Sequence, residues 1–159
     1  MPNRQSRNYI DALLAFWPGI QVLKGDIKSA IKFHENLYKI VKKHDFLPEA
    51  VLFDHSIHWS SHPLRPEFLE STYYLYLATK DDHYLQIAKD ILFHIEKHAK
   101  VKCGYAALSD VKTKKHEDRI DSFFYAETFK YLFLMFSEKE DILFDMDEFL
   151  FSTEVVFLF

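Results

Sequence analysis

The stretch that decides the fold is "HPLRPEFLESTYYLYLATKDDHYLQIAKDIL", residues 62–92. Pro66 stands where a first helical residue is expected: first-turn N–H groups lack intrahelical acceptors, and the ring already fixes a helical φ. Apolar residues then recur down one face as far as Leu77. "TKDD" supplies a turn and Asp81 or Asp82 a cap. Tyr84, Ile87, Ala88, Ile91, Leu92 and Ile95 make a second apolar stripe, with Lys89, Glu96 and Lys97 facing water. The spacing predicts an αα-hairpin, helices from about 66 to 79 and onward from 82. The charge is the puzzle, because Arg65, Glu67 and Glu70 crowd the start of the greasy run Tyr73-Tyr74-Leu75-Tyr76-Leu77.

Upstream, Asp26 reads as the cap of another helix, in which Ile27, Ala30, Ile31, His34, Leu37, Tyr38 and Val41 share one face. Lys42, Lys43 and His44 fall in its last turn, where positive charge suits the dipole. Residues 9–17 read as a short apolar helix ended by Pro18-Gly19. Residues 45–64 carry two prolines and no period, which predicts an irregular connection. Downstream, residues 101–119 read as a loop or short β-hairpin. Residues 122–136, "SFFYAETFKYLFLMF", are apolar on nearly every side, the mark of a helix enclosed by others. The chain closes on "FLFSTEVVFLF", an apolar end and an aggregation hazard.

The composition is that of one helical domain. Its 159 residues can bury a real core, and 48% hydrophobic content excludes disorder. Three glycines are too few for the tight turns of an all-β chain. A net charge of −4 offers no case for nucleic acid or an anionic membrane surface. No run approaches a membrane span, and the N-terminal apolar stretch, interrupted by Asp11 and broken at Pro18-Gly19, does not read as a signal peptide. Cys103 is the lone cysteine, so no intrachain disulfide forms. It reads as a small packed residue rather than a nucleophile.

Carboxylates carry the chemical signals. Glu67 and Glu70 lie one turn apart on one side of their helix, and Arg65 can pair with either. The plain alternative is an ordinary charged helix start. Glu127 sits inside the all-apolar helix, one turn after Phe123. A buried carboxylate must be paired, hydrogen-bonded or protonated, so an ion pair with Lys130 and a polar pocket both stay open. His55, His58 and His62 are spaced by three and four, yet their Ser-rich stretch has no helical period, and that argues against a transition-metal site.

Six segments then converge: "WPGIQVLKGD", "FLPEA", "HPLRPEFLESTYYLYLATKD", "KCGYAAL", "DSFFYAETFKYLFLMFSE" and "FSTE". In this order, over residues 9–154, they resemble glycoside hydrolase family 47, and within it the ER degradation-enhancing α-mannosidase-like proteins. "LRPE" and "SFF-x-x-ET-x-KYL" are the specific motifs. The resemblance implies an all-α fold, an incomplete α/α toroid of helical hairpins with a short β-hairpin or loop. It further implies an inverting, calcium-dependent α-1,2-mannosidase that trims high-mannose N-glycans of misfolded glycoproteins in the endoplasmic reticulum lumen.

Carried over by position, Glu67 matches the general base, and Arg65, Glu70 and Glu127 match residues lining the sugar pocket. Phe123 matches the aromatic that packs on mannose. Asp11 matches another pocket residue, with Ala12 where the family has His or Ser. Thr153 matches the calcium ligand and Glu154 its neighbouring pocket acid. The resemblance also implies that the helix N-terminus and Arg65 keep Glu67 ionised.

The family's general acid and a second catalytic Asp belong to segments upstream of those present. The expectation is therefore that residues 9–154 are the C-terminal part of a catalytic domain, with 155–159 an atypical tail. Alone, the chain is expected to be inactive and poorly soluble. A lectin-like module that holds mannose glycans without cleaving them, and a plain helical scaffold, are the alternatives.

Overall fold

A computed structural model describes residues 8–142. Its centre is the helix α3 (Glu67–Thr79), with α1 (Trp17–Leu23), α2 (Ile27–His44), α4 (Asp82–His98) and α5 (Phe129–Phe136) packed around it. The predicted hairpin is α3–α4. Lys80 ends α3 in the left-handed region at φ 54°, and the Asp81 carboxylate accepts the His83 N–H at 2.9 Å to open α4. In α2, Asp26 caps the start and the left-handed Asp45 closes the end after its basic last turn. Among the described residues no helix is long and apolar enough to cross a membrane.

Two apolar cores flank α3. Leu69 and Tyr73 meet Ile95, Leu108, Phe124 and Leu132 on one side. Leu75 meets Ala15, Leu37, Val41 and Ile87 on the other. A central helix so enclosed is stabilised by burial, at about 1.5–3 kcal/mol for each large aliphatic or aromatic side chain. Its polar residues are matched in turn. The Thr72 hydroxyl donates to the Phe68 carbonyl at 2.7 Å and accepts from Nε2 of the buried His34 at 2.8 Å.

Three regions differ from the sequence reading. Residues 9–17 are helical only in part: β1 (Tyr9–Asp11) pairs with β2 (Ala50–Leu52), and a 3-10 helix at Ala12–Phe16 then runs into α1. Pro18 and Gly19 lie in the first turn of α1 instead of ending a helix, since proline needs no N–H acceptor there. Gly19 is there for contact. Its N–H donates to Ser71 Oγ at 3.0 Å, and an added Cβ would stand 3.2 Å from the Tyr74 ring. Residues 45–64 hold β2 and β3 (Ile57–Trp59), antiparallel with a bulge between Ala50 and Val51.

Residues 101–119 contribute two small hairpins rather than one. β4 (Lys100–Val101) pairs with β5 (Gly104–Tyr105), and β6 (Ala107–Asp110) with β7 (Lys115–Glu117). Finally, the helix predicted over 122–136 is not uniform. It widens into a π turn at Phe124–Thr128, where the Phe129 N–H reaches back to the Phe124 carbonyl, and only then becomes α5.

Candidate active site

The turn before α3 is strained and pinned. Leu64 is buried and held at φ 62°, a left-handed conformation rare for a branched side chain. Its carbonyl accepts the buried Thr128 hydroxyl at 2.8 Å, tying the π turn to this corner. The next residue, Arg65, meets Glu49 through two hydrogen bonds, Nε to Oε1 and Nη2 to Oε2, the second at 3.0 Å. Its Nη1 lies 3.8 Å from Glu67 Oε1, and its guanidinium sits 5.7 Å from the Phe123 ring centre.

Glu67 is mostly buried, and among the described residues its Oε2 has no hydrogen-bond partner. Burial pushes its carboxyl up to about 7. Its own backbone N–H and Arg65 pull the other way, while Glu127 and Glu70 add to the rise. The expectation that Arg65 and the helix N-terminus keep it ionised is therefore corrected to partial ionisation near neutral pH, because desolvation outweighs both and Arg65 is already engaged by Glu49. A cavity of about 30 Å³, bounded by Ala12, Leu47, His62, Leu64 and Thr128, adjoins Arg65 and Glu67. That is room for roughly one water.

Glu70 is raised by burial, against the hydrogen bond that its Oε1 accepts from the Tyr131 hydroxyl at 2.9 Å. Glu127 is raised by burial and by Glu70, with Lys130 opposing. Lys130 is itself lowered by burial and held up by Glu127 and then Glu70. Glu127 thus has both Glu70 and Lys130 within electrostatic reach.

The π turn explains how one helix serves both sides of this site. Phe123 and Tyr131 are eight residues apart, which in a straight α-helix leaves them about 80° apart around the axis. The wider turn absorbs nearly one residue's rotation. Phe123 then faces Arg65 while Tyr131 faces Glu70.

Among the residues expected from sequence, Arg65, Glu67, Glu70, Phe123 and Glu127 come together. The Asp11 carboxylate accepts the Leu13 N–H at 2.9 Å, and its charge also acts on Arg65. Thr153 and Glu154 lie outside the described residues, as does the 155–159 tail. The histidine trio does not gather. His62 is buried, its Nδ1 2.8 Å from the Leu47 carbonyl, and burial pushes it down to about 4; His58 stacks on Tyr9. Cys103 is exposed rather than packed.

Glu49 and Tyr131 were missed as site residues. Glu49 stands in "FLPEA", a segment with no period. Its partner is 16 positions away, so no spacing rule could join them.

Among the described residues no three His, Cys, Asp or Glu side chains form a metal-holding group. The five acids Asp11, Glu49, Glu67, Glu70 and Glu127 do outnumber the cations Arg65 and Lys130 around this site. A hard cation at this site would rest on oxygens beyond the described set and on waters.

Comparison with known proteins accords with this arrangement. Residues 2–158 match the sequence profile of Glycosyl hydrolase family 47. The chain is 58% identical over 153 residues to ER degradation-enhancing alpha-mannosidase-like protein 3 of Homo sapiens, covering 96% of this chain and 16% of that protein. It is 43% identical over 155 residues to Alpha-mannosidase I MNS4 of Arabidopsis thaliana, covering 91% of this chain and 24% of that one. The chain thus spans a minor part of the relatives it matches. In three dimensions it matches an alpha-1,2-mannosidase from Trichoderma reesei with a TM-score of 0.82 at 24% identity, over 95% of this chain and 39% of that one. The fold is accordingly part of an α/α toroid. Matched along nearly its whole length by that profile, the chain belongs to glycosyl hydrolase family 47.

Proposed function

We propose that this chain supplies the general base and one wall of the pocket of an inverting, calcium-dependent α-1,2-mannosidase. Its substrates are high-mannose N-glycans of misfolded glycoproteins in the endoplasmic reticulum lumen, and residues 9–154 are the C-terminal part of the catalytic domain. The observation that carries the reading is Glu67, whose second carboxylate oxygen is buried beside Arg65 with no partner among the described residues, and whose proton burial poises near neutrality.

An inverting glycosidase needs one carboxyl to protonate the leaving oxygen and another, about 6.5–9.5 Å away, to activate water on the opposite face. A base is most effective when it titrates near the working pH. In this reading Glu67 takes the water's proton, and the proton donor comes from a part of the family's domain preceding Asp11. The Phe123 ring packs against the sugar. Arg65, Glu70, Glu127, Asp11 and Glu154 hold its hydroxyls. Thr153 would hold calcium through its hydroxyl and carbonyl, and the ion would supply an oxygen-seeking charge for sugar hydroxyls.

The test is mannose release from a high-mannose glycan by the full-length protein with calcium. Glu67→Gln should slow it between about a hundredfold and ten-thousandfold. Release by that variant at the wild-type rate would remove Glu67 as the base. The present chain alone should bind the glycan, seen as a calcium-dependent rise in melting temperature, and release nothing.

A further inference from the structure

Arg65 is the cation beside Glu67, and its geometry is already committed. Two of its N–H groups meet the two oxygens of Glu49, leaving only Nη1 toward Glu67 at 3.8 Å. A planar guanidinium gripped in this forked fashion cannot turn to serve a second carboxylate without breaking the first pair. Glu49 is fixed in its turn by main chain. Its N–H donates to the Ser61 carbonyl at 2.9 Å, and its own carbonyl accepts the Ala12 N–H at 2.9 Å. Both partners of the pair are about one-fifth exposed, so water screens it only partly.

We propose that Glu49 is a positioning residue that clamps Arg65 against Phe123 and so holds two of its three guanidinium nitrogens off Glu67, leaving that carboxylate basic enough to take a proton. The catalytic consequence rests on the reading of Glu67 as the general base; the clamp itself does not. Breaking the clamp frees two N–H donors and a full positive charge one side-chain rotation from Glu67. A nearby cation favours the carboxylate form, so the sign is fixed: losing the acid at position 49 makes Glu67 a weaker base.

The experiment follows Glu67 directly, by carboxyl carbon NMR of the full-length protein, assigned with Glu67→Gln, in chelator and again in saturating calcium. Under either condition Glu49→Gln should lower the Glu67 midpoint by about one pH unit, a tenfold loss of proton affinity. The acid limb of kcat/KM on an α-1,2-linked mannobioside should move down with it while kcat falls, and Glu49→Asp should lie between. A midpoint unmoved or raised in Glu49→Gln overturns the proposal. If that variant does not fold, Glu49→Asp decides: a Glu67 midpoint unmoved or raised in it overturns the proposal, and a lowered one supports it. A midpoint that falls while the acid limb stays put upholds the clamp and removes Glu67 as the base.

Discussion

At the scale of single residues, Glu67 ties function to stability. Its folded value of about 7 stands above the usual 4.5. A carboxyl raised in this way holds its proton more tightly when folded. Its contribution is full below the unfolded value and is lost as pH rises through 7. The shift corresponds to about 3 kcal/mol. Glu67→Gln should therefore match the wild type in stability near pH 4.5 and exceed it by about 2–3 kcal/mol at pH 8, read from denaturant unfolding at the two values. An advantage that shrinks as pH rises would contradict the burial argument. His62 acts with the opposite sign. Lowered to about 4 by burial, it contributes stability present above the usual 6.5 and lost as pH falls through 4.

Among the elements, the link between the π turn and the start of α3 matters most, and one hydroxyl carries it. Thr128 donates to the carbonyl of the left-handed Leu64, the residue that aims Arg65. Thr128→Val keeps the shape and leaves that buried carbonyl without its donor, at a cost of about 1–3 kcal/mol. A matching drop in the denaturant midpoint, with unchanged helical circular dichroism, is the expected result; an unmoved midpoint would mean that the corner is held by other contacts. The α3–α4 hairpin was legible because its caps and apolar stripe are local features. Pro18-Gly19 misled because the same dipeptide suits a helix start as well as a stop. What settles it is Gly19 packing on Ser71 and Tyr74, 52 and 55 residues away. The π turn was illegible for a related reason, since its residues read equally well as plain α-helix.

For the whole molecule, the proposed calcium ion is the variable to test. If the ion joins this chain's acids in the folded state only, it stabilises that state in proportion to the logarithm of its concentration, about 2.7 kcal/mol at one hundred times its Kd. Calorimetry of the full-length protein should show a melting temperature that climbs with calcium and falls back on chelation. A melting temperature indifferent to the ion would take calcium out of the proposed mechanism.

The helices of the central hairpin, the family, and five site residues, Arg65, Glu67, Glu70, Phe123 and Glu127, could be read before any folding: these are properties of period, cap and motif, each held within a few consecutive residues. Tertiary structure alone decided that Glu49 grips Arg65, that Tyr131 holds Glu70, and that Glu67 keeps a proton near neutrality. Those outcomes depend on desolvation and on partners 16 and 61 positions apart. Water exclusion and charge pairing act through space, and space is fixed only when the chain has packed.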